Sequence, residues 1–285
     1  MTPIELKLNS ENPQLSEEER GVIEKSLAIR QEAIANMEQD KYLEAMERTV
    51  AALKELLEFP DYKNMEFRTV FVVLLFDLAE IHYYLKNYKQ SEKEVEILFK
   101  VLDNLVKTDN ERFAPYHILA MELSTRILRS RKKAMDLLVK QQIATGSLYE
   151  KVNSGITAAT DKLVDSLCKS AELLAATGDV RGSLKFYAEA IKYSKKRTGR
   201  VTRKEIKMTI EMAEVMMRQR RMQPRAKRLL DAILPHAIAL EATGLEQDII
   251  SLKDVINVSE QPETKWKIFL HKVVNAAKSK FKSKG

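Results

Sequence analysis

The side chains able to do chemistry are dispersed along this chain. Its four histidines, His82, His117, His236 and His271, include no pair at i, i+4, the spacing that would put two imidazoles on one helix face for a metal ion. Cys168 is the single cysteine, so the sequence holds neither an intramolecular disulfide nor a thiolate zinc site. It reads as a small packing residue, with a reactive thiol beside Lys169 as the alternative. No glycine-rich phosphate loop occurs, and no serine or cysteine has an identifiable base with an orienting partner. The expectation is a protein that is not an enzyme and uses no metal or cofactor.

Charge is more concentrated. The net formal charge of +7 splits into −9 over residues 1–124 and +16 over residues 125–285. Lys192 to Arg228 holds 14 basic and three acidic residues, and Lys265 to Gly285 holds seven lysines and no acid. One reading is a solvated surface; the other is an acidic partner, whether nucleic acid, an anionic membrane, an acidic peptide or a second copy meeting head to tail. A single tryptophan and the lack of a zinc-finger or RNA-recognition signature speak against a dedicated nucleic-acid module. In the C-terminal segment Trp266, Phe269, Leu270, Val273, Ala277 and Phe281 share one helical face flanked by lysines. Such a helix can lie on an anionic membrane or cap the preceding helices; the cap is expected.

The elements that must position these groups are helices. Eight Gly and seven Pro in 285 residues leave little material for β-turns, and Leu, Ala, Glu, Lys, Arg and Met dominate. The N-terminus lacks the pattern of a secretory signal and the longest apolar run, Val70 to Phe76, is far too short to span a bilayer, so a cytoplasmic location is expected. Ser16 to Glu19 is a capping box that opens a first helix to about Met37, followed by Tyr42 to Glu58 and by a buried helix from Met65 to about Leu85. Beyond the break at Thr108-Asp109-Asn110, Ala144 to Ser147 is expected to close a third pair, and a long helix from Asn153 to Ala176 follows. A second capping box, Thr202 to Glu205, opens the next helix. Its partner begins near Gln223, and Pro235 should kink or split it. Helices near Leu245 to Asn257 and Thr264 to Phe281 end the chain.

The fragments Gln39 to Ala45, Leu85 to Ser91 and Thr177 to Ser183 share one pattern: a polar turn, an apolar residue and a small residue three positions on. With Leu78, Ala79 and Tyr83 in one unit and Leu167, Ala171, Tyr187 and Ala190 in another, the units resemble tetratricopeptide repeats. The small residues Ala45, Ser91, Ala134, Ser183 and Ala226 are spaced 46, 43, 49 and 43 apart, longer than that family's period of about 34. The resemblance implies an all-α, right-handed superhelical stack of antiparallel helix pairs, about ten to twelve helices, with an extension at 1–15, repeats over 16–243 and capping helices over 244–285.

It also implies a groove lined by the first helix of each pair. Carried over by register, that lining is Arg30, Tyr83, Tyr84, Arg126, Lys169 and Arg218, four cations beside two aromatics, suited to a carboxylate- or phosphate-bearing segment. Glu80 and Glu172 stand where the family's chaperone-binding members need asparagines, so that specificity is not expected. The expected function is a non-catalytic protein-interaction scaffold; the alternative is a nucleic-acid- or membrane-binding adaptor using the basic C-terminal half.

Overall fold

Ser16 starts the first helix as its side chain requires. Its Oγ accepts the Glu19 amide at 3.2 Å and the Glu19 carboxylate accepts the Ser16 amide at 2.6 Å, so both halves of the capping box form and α1 runs Glu17–Glu38. The computed structural model describes residues 15–59 and 64–259. The expected helix over 264–281, with Trp266, Phe269, Leu270 and Val273, lies outside the described residues.

After α1 come α2 (Tyr42–Glu58), α3 (Met65–Tyr84), α4 (Tyr88–Thr108), α5 (Asn110–Asn153), α6 (Thr160–Thr177), α7 (Val180–Thr198), α8 (Arg203–Met217), α9 (Gln223–Ala239) and α10 (Thr243–Ser259). Short 3-10 turns occupy Thr157–Ala159 and Arg220–Met222. No strand occurs among the described residues, which places the protein in the all-α class, and no helix among them is long and apolar enough to cross a membrane.

One backbone device closes the hairpins. Asp40, Lys86 and Gly178 all sit in the left-handed region, with φ of 58°, 56° and 93°, at the same place in the recurring turn. Around Asp40 and Gly178 the chain folds back so that the Lys41 and Asp179 amides donate to the carbonyls of Asn36 and Leu174, at 2.9 and 2.8 Å. The same arrangement recurs between α9 and α10, where Glu241 has φ 48° and the Ala242 amide donates to the Ala237 carbonyl at 3.0 Å. That fourth turn carries no glycine, and the short sequence motif does not mark it.

The third pair departs from expectation. Instead of breaking at Ala144 to Ser147, α5 continues to Asn153. Thr145 is buried and donates to the Gln141 carbonyl at 2.8 Å while its Oγ1 meets Ser166 and Ser170 on α6, so the segment is held as helix. A Cβ on Gly146 would meet nothing within 4 Å. The terminator is Gly155, at φ 89°, with the Ile156 amide donating to the Lys151 carbonyl at 3.0 Å. Ala134 is therefore a mid-helix residue, packed on Leu173 and Ala176, and α6 begins at Thr160 rather than Asn153. Pro235 lies inside α9 without splitting it. The second capping box is half formed: Thr202 accepts the Glu205 amide, but the Glu205 carboxylate turns away and accepts from Ser194 at 2.9 Å.

The described residues divide into two compact units, one of residues 15–59, 64–85 and 90–127, the other of residues 86–89 and 128–259. In the first, α1, α2 and α3 pack pairwise. The run Val70 to Phe76 is buried on every side, as expected for a helix that is apolar all round. Ala45 is fully buried, and Ser91 donates to the Ala79 carbonyl at 2.6 Å, a crossing that only small side chains permit. In the second unit α6 packs on α7, α7 on α8, α8 on α9, and α10 on both α8 and α9, with Ser183 and Ala226 fully buried.

The turns give a test of opposite sign at two sites. A Cβ on Gly178 would stand 2.5 Å from the Lys89 Cδ and in a left-handed conformation. Gly178→Ala is expected to cost about 1–2 kcal/mol, and Glu241→Gly to add up to about 1 kcal/mol, read from urea unfolding midpoints.

Candidate functional site

Arg30 is the first correction to the expected groove lining. It is 3 % exposed, and its Nε and Nη2 donate to the Asp77 carboxylate at 2.6 and 3.3 Å. The reason is the burial of α3: Asp77 sits among apolar side chains, where a carboxylate without a partner would be costly, and Arg30 on α1 answers it. This guanidinium is a structural group and is closed to a ligand.

Tyr83, Tyr84 and Arg126 do come together in the first unit. Tyr84 stacks on Tyr42 with centroids 5.1 Å apart and meets Tyr83 edge-on at 5.5 Å. The Arg126 guanidinium lies 5.4 Å from the Tyr83 ring centre and donates to Glu80 at 2.9 Å. Burial raises the Glu80 carboxyl above its usual range, Arg126 opposing the shift. Tyr42 donates to Asp40 at 2.6 Å, and this bond, with burial, pushes the phenol up to about 12. The patch is aromatic and half-buried, and its cation already has a carboxylate.

In the second unit Arg218 approaches a residue that sequence reasoning treated only as packing, Tyr187 on α7. Its ring is 2 % exposed, and its hydroxyl hydrogen-bonds Glu211 on α8. Glu172, Cys168 and Arg218 all act on its ionisation, so α6, α7 and α8 converge here. Burial raises Glu211 above the ordinary carboxylate range, Glu172 adds to this, and Lys207 opposes it. Burial also pushes the Cys168 thiol up to about 12, Glu211 adding to the shift, which makes it a poor nucleophile.

The two units differ in how they answer the equivalent cation. Glu80 pairs with Arg126, 46 residues on. The residue 46 before Arg218 is Glu172, but its carboxylate accepts from Lys169 at 2.8 Å, a pair exposed to water. Arg218 is half-buried, and its Nε and Nη1 are shut off from solvent with no hydrogen-bond acceptor. Burial lowers its ionisation below the arginine norm, while Glu214 and Tyr187 act in the other direction. Of the four cations expected in the groove, Arg30, Arg126 and Lys169 are committed to carboxylates of the chain, and Arg218 is the one whose buried nitrogens await an acceptor.

Other polar groups serve packing. His82 and Glu94 form a buried pair at 2.7 Å, and His117 meets Asp103 at 3.2 Å and the Phe99 ring at 5.4 Å. Among the described residues no three of His, Cys, Asp and Glu come together as a metal site. Fold and site together define an all-α protein of packed helix pairs with a cation-bearing polar face in its second unit. No protein-family model matches the chain, and neither a curated protein nor a solved structure matches it.

Two measurements probe these assignments. Arg30→Leu leaves Asp77 without its partner in the core, which is expected to cost about 3–5 kcal/mol, and adding Asp77→Leu should recover much of that in urea unfolding. Glu211 gives a pH test: its raised folded-state ionisation means that protonation favours the fold, a contribution complete below the ordinary carboxylate range and lost as pH rises through the raised value. Glu211→Gln, which mimics the protonated form, should therefore match the wild type at about pH 4 and exceed its melting temperature at about pH 8.

Proposed function

We propose that this chain is a non-catalytic, cytoplasmic interaction scaffold, its helix pairs wound as a right-handed tetratricopeptide-like stack, which binds an acidic segment of a protein partner on the faces of its first helices. The observation that carries this reading is Arg218. A guanidinium with two desolvated nitrogens and no acceptor is costly to keep, and a carboxylate or phosphate supplied by a ligand would give it a charge-assisted hydrogen-bond acceptor. Tyr187 stands close enough to Arg218 for each to act on the other's ionisation, and Lys169, paired with Glu172, is an exposed cation on α6 of the same unit. In the first unit the tyrosine patch of Tyr42, Tyr83 and Tyr84 offers flat, half-buried surface to an extended peptide.

A second reading, an adaptor for nucleic acid or an anionic membrane, draws on the exposed cations of α7, the loop after it and the start of α8, among them Lys192, Lys195, Lys196, Arg200 and Lys207. Salt distinguishes the two, because contact with many phosphates weakens steeply as salt rises.

The test is binding of fluorescent acidic and phosphorylated peptides to the full chain and to Arg218→Met, a substitution that keeps the packing volume. Loss of binding of about tenfold or more, with unchanged helicity, is expected for the variant. Equal binding by the two proteins would remove Arg218 from the site. Tight, steeply salt-dependent binding of single-stranded DNA or anionic vesicles, without peptide binding, would favour the second reading.

A further inference from the structure

On α5, four of the five large apolar side chains that this helix exposes to water within the second unit form a row: Leu128 at 52 %, Met135 at 51 %, Val139 at 59 % and Ile143 at 71 % exposed. Single exposed apolar residues are ordinary, but these are aligned. At about 100° per residue their steps of seven, four and four keep all four within an arc of about 80°, along about 22 Å of helix axis. The row is separate from the face that α5 uses for packing. That face is Ala134, Leu138, Gln141 and Thr145, which contact Leu173, Ala176, Ser166 and Ser170, and it lies about 125° away around the helix. The seam is thus a second apolar side of one helix, with no partner among the described residues.

Its border is mostly cationic. Arg129, Lys133 and Lys140 are exposed along one edge, with Asp136 as the single acid there. Lys132 falls inside the row, where its methylene stem can extend the apolar surface while the ammonium reaches past it. A narrow apolar row at these spacings accepts another helix, whose side chains fill the gaps between turns. Charge then selects which helix. A second copy of the same face would set cations against cations, and the C-terminal segment with Trp266 and Phe269 is flanked by lysines and lacks any acid.

We propose that the exposed side of α5 from Leu128 to Ile143 is a docking seam for an acidic amphipathic helix of a partner protein. It engages residues distinct from Lys169, Tyr187 and Arg218, and stands whether or not those bind a peptide.

The probe is a fluorescent peptide of about three heptads, with leucine at the core positions and glutamate at the flanking ones. A second peptide carries lysine in place of each glutamate. Anisotropy with the full chain is expected to show binding of the glutamate peptide alone, weakening as salt rises. Val139→Glu with Ile143→Glu should reduce it about tenfold or more without changing the circular dichroism, and Arg218→Met should leave it unchanged. The proposal falls if the lysine peptide binds as well, if neither peptide binds, or if the double substitution has no effect. It falls equally if sedimentation shows a dimer that the double substitution dissociates, since a second copy is then the occupant. Truncation after Glu263 closes the remaining route: if only the truncated chain binds the glutamate peptide, the C-terminal segment occupies the seam and the proposal is wrong.

Discussion

The burial of α3 on all sides constrains the first unit more than any other feature. A helix shut off from water must have each of its polar side chains answered by a neighbour, because an unpaired charge there costs more than most contacts contribute. Glu66, Asp77, Glu80 and His82 are all buried, and each has its answer on a different turn: Arg112 and Arg126 from α5, Arg30 from α1, Glu94 from α4. The partners of Glu66 and Glu80 are both 46 residues further along, so α3 and α5 run parallel with a fixed register. These pairs specify alignment; their net contribution to stability is a separate matter, since desolvation offsets much of the attraction.

That spacing matches the interval between the small residues Ala45 and Ser91, which links the ion pairs to the repeat. Arg30 and Asp77 are 47 apart, again one first helix answering the next. A repeat period normally expresses apolar packing. Here it also carries charge from one first helix to the following one, which is why cations placed by register on a groove face turn out to be committed within the protein. The second unit has the same positions, Glu172 and Arg218, without the pair. In the proposed reading, a ligand's carboxylate would take the place that the chain's own carboxylate leaves open there.

The long α5 shows how little a helix needs in order to continue. Gly146 and Thr145 resemble a turn when read alone, but a glycine costs a helix only about 1 kcal/mol, and a buried threonine that donates to its own helix and meets two serines opposite offsets that. Gly155 ends the helix because the chain there adopts a left-handed conformation and the Ile156 amide caps a carbonyl. The exposed row from Leu128 to Ile143 lies before that glycine, on a side of the helix that its described neighbours leave uncovered.

By itself the sequence determined the helical class, the ends of α1 and α2, the recurring turn, and the burial of Ala45, Ser91, Ser183 and Ala226, because capping, propensity and side-chain size act over a few residues. Tyr83, Tyr84 and Arg126, chosen by repeat register, lie on α3 and α5, and their meeting rests on the packing of those two helices. Only the tertiary structure decided that Arg30 is a core residue, that Glu205 turns from its cap to Ser194, and that Tyr187 gathers Glu211, Glu172 and Arg218. Each of those outcomes depends on which charge meets which across tens of residues. Desolvation sets that choice, and it acts only when the helices have packed.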